Sequence, residues 1–381
     1  MCEYESIQDE LKIPTFSMKP MQVHSSNSFE INSENSTTKQ KSETKKNNKW
    51  HCPRCYGCCC FIVTILLIFF SSVYWSCITT PVAILYTETD TIVETHGSTV
   101  KVLSYNMFLR MNLASEPGTK NDWKDERLQI FIDTQLDKYD ILLLQEVWTP
   151  LSSGRKEQLI QEAKKHGYNY YVRSGCNGKP MDAMLLILSK HPLEKNAEHS
   201  FAASSGEDQM ASKGVLFARA YIHGDKQCVL DVYNTHMQAW DTIENIQTRR
   251  DQTKELGAFV NTNTGNKTAI IAGDFNSNGL VKSNYDHIIE DLSESIHVQS
   301  LLTAPFNVTW PGSGVYESTA IDYAFVVDTP RTKKKIQVHS AKIKPMFVKN
   351  QPFATLSDHY GVSFDIECNI NSSQRESISG E

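Results

Sequence analysis

Charge is the first thing this sequence withholds. Across residues 55–87 of its 381 there is no Asp, Glu, Lys or Arg. The apolar centre of that run, about 58–78 and including Phe61 to Phe70, supplies the roughly 20 apolar residues a helix needs to cross a bilayer. A core helix this long would keep a polar face. A cleaved signal peptide would be shorter and begin near residue 1. The stretch therefore reads as a transmembrane signal-anchor helix. Lys39, Lys41, Lys45, Lys46, Lys49 and Arg54 precede it, and Glu88, Asp90 and Glu94 follow. The positive flank stays in the cytosol. This predicts a single-pass type II membrane protein whose larger part is extracellular or lumenal.

Other scarcities narrow the reading further. Residues 1–54 have few aromatics and much Ser, Asn, Thr, Lys and Glu; they cannot bury enough apolar surface to order themselves and read as a disordered cytosolic segment. No internal repeat is present, which excludes a solenoid. A basic excess is also missing: residues 101–368 hold 29 Lys and Arg against 32 Asp and Glu. A nucleic-acid groove ordinarily needs that excess, so no nucleic-acid partner is expected. Cysteine is thin where the chain folds. Cys52, Cys55, Cys58, Cys59 and Cys60 crowd the cytosolic edge of the span. With His51 they suggest zinc, but a second spaced pair is missing, and S-acylation fits better. Cys176, Cys228 and Cys368 leave room for one disulfide in an oxidising compartment, and the spacing does not choose the pair. Asn266, Asn307 and Asn371 sit in N-x-Ser/Thr acceptors, which predicts a glycoprotein.

What is present lies between 98 and 368, before a polar tail at 369–381. Strand-like and helix-like patterns alternate there. Strands are expected at 99–105, 141–144, 168–172, 183–188, 214–222, 228–234, 269–274, 321–327, 336–343 and 360–366, and helices at 122–136, 158–166 and 242–259. Two packed sheets flanked by helices fit this better than a doubly wound parallel sheet. The stretch Ala269 to Asn276 is central. An apolar strand ends at Gly273 and delivers Asp274 and Asn276 on one face, an arrangement suited to a hard cation and a phosphate oxygen. Asn106, Glu146, His236, Asp358 and His359 also stand at strand ends. Any one of them alone reads as a turn residue or a solvated charge. Asp322 lies inside an apolar strand, where a buried carboxylate needs a partner such as a histidine.

Six motifs arrive in order: Tyr105-Asn106, Leu144-Gln145-Glu146-Val147-Trp148, Thr235-His236, Gly273-Asp274-Phe275-Asn276, Ile321-Asp322-Tyr323 and Ser357-Asp358-His359. The set resembles the endonuclease/exonuclease/phosphatase superfamily. Ser212-Lys213-Gly214, Leu188 to Pro192, Gln238 and Asn307-Val308-Thr309-Trp310 are similar to elements of neutral and bacterial sphingomyelinases. Asp182-Ala183-Met184 and Gly361 depart from common patterns without removing a chemical group. The resemblance implies a four-layered, DNase I-like α/β sandwich and a Mg2+-dependent phosphodiesterase, with Mn2+ as a substitute ion. It implies that Glu146 and Asn106 hold the metal and that Asp358 completes the polar floor or contacts a second ion. His359 would be the general base, with Asp322 fixing its tautomer. Asp274 and Asn276 would orient the nucleophile and a phosphate oxygen, His236 would donate to the phosphoryl oxygens, and Lys213 would pair with the phosphate. The substrate implied is sphingomyelin or a related choline phospholipid, cleaved to ceramide and phosphocholine.

A lysophospholipid phospholipase C, a membrane-tethered nuclease and a non-catalytic lipid-binding ectodomain are the competing readings. An inositol polyphosphate 5-phosphatase is disfavoured, because its Cys-Asp-Arg pattern is replaced by Ile321-Asp322-Tyr323. Arg331, Lys333, Lys334, Lys335, Lys342, Lys344 and Lys349 form either a solvated face or a surface attracted to anionic lipid. The segment from Lys344 to Phe353 is either an apolar loop that dips into lipid or ordinary core packing.

Overall fold

Apolar residues occupy both faces of the central strands, so each sheet must be covered on both sides. The computed structural model describes residues 99–368, with breaks at 113, 117–118, 149–153, 304–306, 313–315 and 329–335, together with 64 and 85–86. One sheet contains β1 (Leu85–Tyr86), β2 (Thr99–Leu109), β3 (Ile141–Val147), β4 (Tyr170–Arg173), β5 (Leu186–Ser189), β12 (Ile336–Val338), β13 (Lys342–Lys344) and β14 (Gly361–Cys368). The other contains β6 (Leu193–Ser200), β7 (Gly214–Tyr221), β8 (Val229–His236), β9 (Thr268–Asp274), β10 (His297–Ser300) and β11 (Asp322–Asp328). The first runs β1-β4-β5-β3-β2-β14-β12, with β13 beside β14; the second runs β10-β11-β9-β8-β7-β6. Both are mixed. β2 is parallel to β3 and β8 to β9, while β14 and β11 join them antiparallel.

Three apolar layers separate four structural ones. Between the sheets lie Val102, Leu143, Ile187, Leu216, Val232, Ile270 and Phe364. The alternate residues of the first sheet, including Leu103, Leu142 and Leu188, meet Leu128, Phe131 and Ile132 of α1 (Lys124–Gln135) and Leu159 and Ala163 of α2 (Arg155–Lys165). On the far side, Tyr233, Ile271 and Phe325 meet Leu256 and Val260 of α3 (Ile243–Thr264) and Ile288 and Leu292 of α4 (Lys282–Ser293). Each such side chain contributes about 1.5–3 kcal/mol by leaving water. The period of two in the strands thus places every second residue in the shared core and the rest under a helix.

Gly273 makes the central strand spacing attainable. Its φ is 153°, and a Cβ there would sit 2.0 Å from the Thr235 carbonyl oxygen. At Gly214, which opens β7, a Cβ would strike the His199 carbonyl oxygen at 2.1 Å. A disulfide joins Cys228 and Cys368, whose Cα atoms are 6.0 Å apart. It closes 140 residues, which by loop-closure entropy stabilises the fold by about 5 kcal/mol.

Several elements differ from the sequence expectation. β2 runs on through Asn106, and β6, β10 and α4 were not anticipated. The strand expected over 336–343 is two short strands. Leu85–Tyr86, placed by the sequence at the end of the transmembrane run, pair antiparallel with Tyr171 and Tyr170. The rest of that run apart from Thr64, segment 1–54 and tail 369–381 lie outside the described residues, as do Arg331, Lys333, Lys334, Lys335 and Asn371. No helix among the described residues is long and apolar enough to cross a membrane.

Candidate active site

Sheet register assembles half of the site. His236 ends β8 opposite Asp274 on β9, and Asp274 in turn pairs with Asp322 on β11. Gly214 pairs with His236 from the other side, so Lys213 arrives next to the imidazole. Three adjacent strands therefore present their groups in one row. Lys213 Nζ lies 3.3 Å from His236 Nε2, 2.7 Å from the Met237 carbonyl and 2.9 Å from Asp208 Oδ2. The Asn276 backbone N–H donates to Asp274 Oδ1 at 2.8 Å, and its Nδ2 donates to the Met237 carbonyl at 3.0 Å.

The first sheet supplies the other half through irregular backbone. β2 slips register between Asn106 and Leu109, and Phe108 has φ 50°. Glu146 at the end of β3 has φ 53°; Asn276, two residues past β9 of the second sheet, shares the feature with φ 51°. Left-handed non-glycine residues cost roughly 1–3 kcal/mol each and persist only where neighbours hold them. Asn106 Nδ2 links the two halves, donating to Glu146 Oε1 at 3.2 Å and Asp274 Oδ2 at 3.0 Å. His359, entering β14, sets Nδ1 2.9 Å from Asp322 Oδ2 and Nε2 3.8 Å from Asp274 Oδ2. Asp358 accepts from Trp310 Nε1 at 3.2 Å. All nine residues named from the sequence thus sit at the same end of the two sheets. Lys213, His236, Asp274, Asp322 and His359 are buried; Glu146, Asn276 and Asp358 are partly open.

Supports that the sequence did not single out lie behind these groups. Gln145 Nε2 donates to Asn234 Oδ1 at 2.7 Å, and Asn234 Nδ2 donates to the Leu144 and Leu186 carbonyls. This polar bridge locks one sheet to the other directly beneath the site. Thr309 Oγ1 accepts from the backbone of Ile321 and Asp322, both at 3.0 Å. Arg127, buried on α1, donates to the carbonyls of Met107, Phe108, Asp122 and Leu356, tying the end of β2 to the turn before His359. An arginine inside an apolar helical stripe was the available signal.

Burial and mutual charge set the protonation states. Burial opposes charge on His359, but Asp322, Asp358 and Asp274 outweigh it and hold its pKa well above the ordinary value. Burial pushes Asp274 up to about 7, against His359 and with Asp322. Burial, Lys213 and His359 keep His236 neutral. With Nε2 accepting from Lys213, its proton belongs on Nδ1, a buried atom with no partner among the described residues. Burial and then Asp358 raise Glu146, whose Oε2 is likewise buried and unpartnered there.

These atoms fit a divalent cation. A buried carboxylate oxygen with no donor is what a hard ion would satisfy. Asn106 Oδ1 accepts from Phe108 N yet keeps a second lone pair. Asp274, Asp322 and His359 bring one ligand atom each within 4.8 Å of one another and form a candidate metal site. His359 Nδ1 in that cluster is already committed to Asp322.

The family model that matches residues 103–359 is that of the endonuclease/exonuclease/phosphatase family, and the chain belongs to this family. It is a phosphodiester hydrolase. The chain is 24% identical over 334 residues to a sphingomyelinase of Dictyostelium discoideum, covering 61% of this chain and 73% of that one. It is 25% identical over 242 residues to sphingomyelinase C of Bacillus cereus, covering 56% and 69%. The fold matches the crystal structure of a substituted Staphylococcus aureus beta toxin with bound magnesium ions at a TM-score of 0.55 and 20% identity, covering 70% of this chain and 98% of that one.

Proposed function

We propose that this protein is a membrane-anchored, Mg2+-dependent sphingomyelin phosphodiesterase of phospholipase C type, releasing ceramide and phosphocholine. One observation carries the reading: the Asp322–His359 pair, His236 and the unpartnered Glu146 oxygen face one another across Asp274 and Asn106. Two sphingomyelinase relatives support the choice of lipid.

Asp322 accepts from His359 Nδ1, which leaves Nε2 to take a proton from the attacking water. Asp274, beside Nε2, stabilises the imidazolium that results and orients the water. His236 would donate to a phosphoryl oxygen as charge grows there. Lys213 is buried with its ammonium divided among His236, Met237 and Asp208, so it acts on the phosphate through His236 instead of pairing with it directly. Asn276 holds the backbone of Met237, next to His236. Glu146 and Asn106 would hold the cation, with Asp358 on the polar floor. When bound, the cation stabilises the phosphoryl oxygens and the leaving alkoxide of ceramide.

The uncharged run at 55–87 supports a signal anchor that keeps the domain beside its substrate, raising effective concentration. The Cys228–Cys368 disulfide and the exposed acceptors Asn266 and Asn307 support an extracellular or lumenal location. Exposed Lys342, Lys344 and Lys349, with Phe347 69% exposed, support a lipid-facing loop, although Met346 in the same segment is buried. The test uses the full chain in detergent with labelled sphingomyelin, lysophosphatidylcholine and DNA, with and without EDTA. Cleavage of sphingomyelin that EDTA abolishes and Mg2+ restores is expected. Cleavage of DNA alone, or turnover indifferent to EDTA, contradicts the reading.

A further inference from the structure

Large aromatic side chains stand exposed at the rim of the cleft. Trp240 follows His236 and is 62% exposed; Tyr316 precedes β11 and is 55% exposed. Their ring centroids are 5.5 Å apart and tilted by 43°. Tyr316 in turn lies 6.3 Å from Trp310, tilted by 55°. The three rings form an open, angled surface from loops of different origin.

The group is fastened from beneath. Trp240 has φ 67°, a conformation unfavourable for an indole-bearing residue. Arg249 holds it there, donating to the carbonyls of Gln238 and Trp240 and pairing with Asp241. Trp310 is paired through its backbone with Thr319 and through Nε1 with Asp358. Asp358 adjoins His359, and its charge acts on both His359 and Glu146. The aromatic surface therefore begins one side chain away from the groups that face the phosphate.

We propose that Trp240, Tyr316 and Trp310 form the seat for the quaternary ammonium of a choline headgroup. The inference rests on the sphingomyelin reading and extends it to headgroup selection. A trimethylammonium carries no N–H, so it cannot be recognised by hydrogen bonds. It is drawn instead to electron-rich ring faces, to indole above all. In phosphocholine the cation stands two carbons beyond the phosphate ester oxygen, which sends it outward from the phosphate toward the rim. Asp358 and Asp241 add negative potential beside the rings.

The competing use of these side chains is lipid contact. Ile243 is 90% exposed near Trp240, and Leu280 and Val281 are about half exposed on the loop tied to Ala320. The experiment separates the two. The full chain in mixed micelles is assayed on sphingomyelin and on its ethanolamine-headgroup analogue. The Trp240 and Tyr316 faces, at about 1 kcal/mol each, account for roughly 10–30-fold of the wild-type preference for choline in kcat/KM. In W240A/Y316A that ratio falls toward one, mostly through KM, while Tyr316→Phe keeps it. An unchanged ratio, or an equal loss on both headgroups, overturns the proposal. Tryptophan fluorescence is also titrated with tetramethylammonium, which needs no turnover. If neither lipid is cleaved, the sphingomyelin reading fails while the titration still decides the aromatic seat. Quenching seen in wild type and lost in W240A/Y316A upholds it, and no quenching in wild type overturns it.

Discussion

The two walls of the cleft are built by opposite means. On the second sheet, His236, Asp274 and Asp322 hold neighbouring positions of a regular ladder, and any strand in register would deliver them. On the first sheet, Asn106 and Glu146 are placed by a register slip and left-handed backbone. The regular wall carries the proton chemistry, which needs a fixed imidazole. The irregular wall carries Glu146, whose Oε2 is buried with no partner among the described residues and suits a cation. Regular pairing sets the three groups of the second sheet, and left-handed backbone sets Glu146, one oxygen of which has no partner among the described residues.

Breaking the regular wall has the largest effect. His359→Ala removes the group that takes the proton, and kcat on sphingomyelin should fall by roughly 10²–10⁴-fold with little change in folding, as checked by circular dichroism. Turnover within about threefold of wild type would remove His359 from the base role. Distorting the same wall without touching its chemistry comes next. Gly273→Ala puts a methyl 2.0 Å from the Thr235 carbonyl, and a loss of about 3 kcal/mol or more in urea unfolding is expected. A midpoint equal to wild type would mean that the strands part freely there.

The irregular wall answers to the metal instead. Glu146→Gln should weaken Mg2+ binding by at least about tenfold in calorimetry, as loss of one carboxylate ligand implies. Its effect on the metal-free protein should be small and of opposite sign. Burial raises the Glu146 carboxyl, so the folded state favours its protonated form and loses stability as pH rises through that raised pKa. The glutamine variant lacks that loss and should melt slightly higher at neutral pH without metal. A lower metal-free melting temperature would show that the carboxylate is a structural support.

The sequence made the interior legible and the rim obscure. β3 and β9 are apolar on both faces until their polar ends, which stand out against that background, while β8 is buried but already carries Asp231 and Asn234 before His236. β6, reading LEKNAEHS, is largely half-buried at an edge and carries little apolar signal. β10 is a four-residue edge strand with the same difficulty. Asn106, Glu146, His236, Asp274, Asn276, Asp358 and His359 were visible as candidates because strand ends mark them, whereas Asp322 stood out as a carboxylate inside an apolar strand and Lys213 only through the resemblance. Gln145 with Asn234, and Arg127, were not, since their roles depend on contacts between sheets and across the cleft turn. The aromatic trio was hidden for the same reason: its members come from segments 70 residues apart and meet only on folding.

The central claim is that Asp322 and His359 work as one proton-accepting unit, and the pH dependence of kcat/KM tests it most directly. Asp322 is among the charges that hold His359 above its ordinary pKa, so the imidazole remains protonated to higher pH and the basic form appears only as pH rises. The wild-type profile should therefore climb above the usual histidine range of about 6.5. Asp322→Asn should move that rise to lower pH while reducing the plateau by roughly 10²–10⁴-fold. A rising limb that keeps its position in the variant would contradict the account.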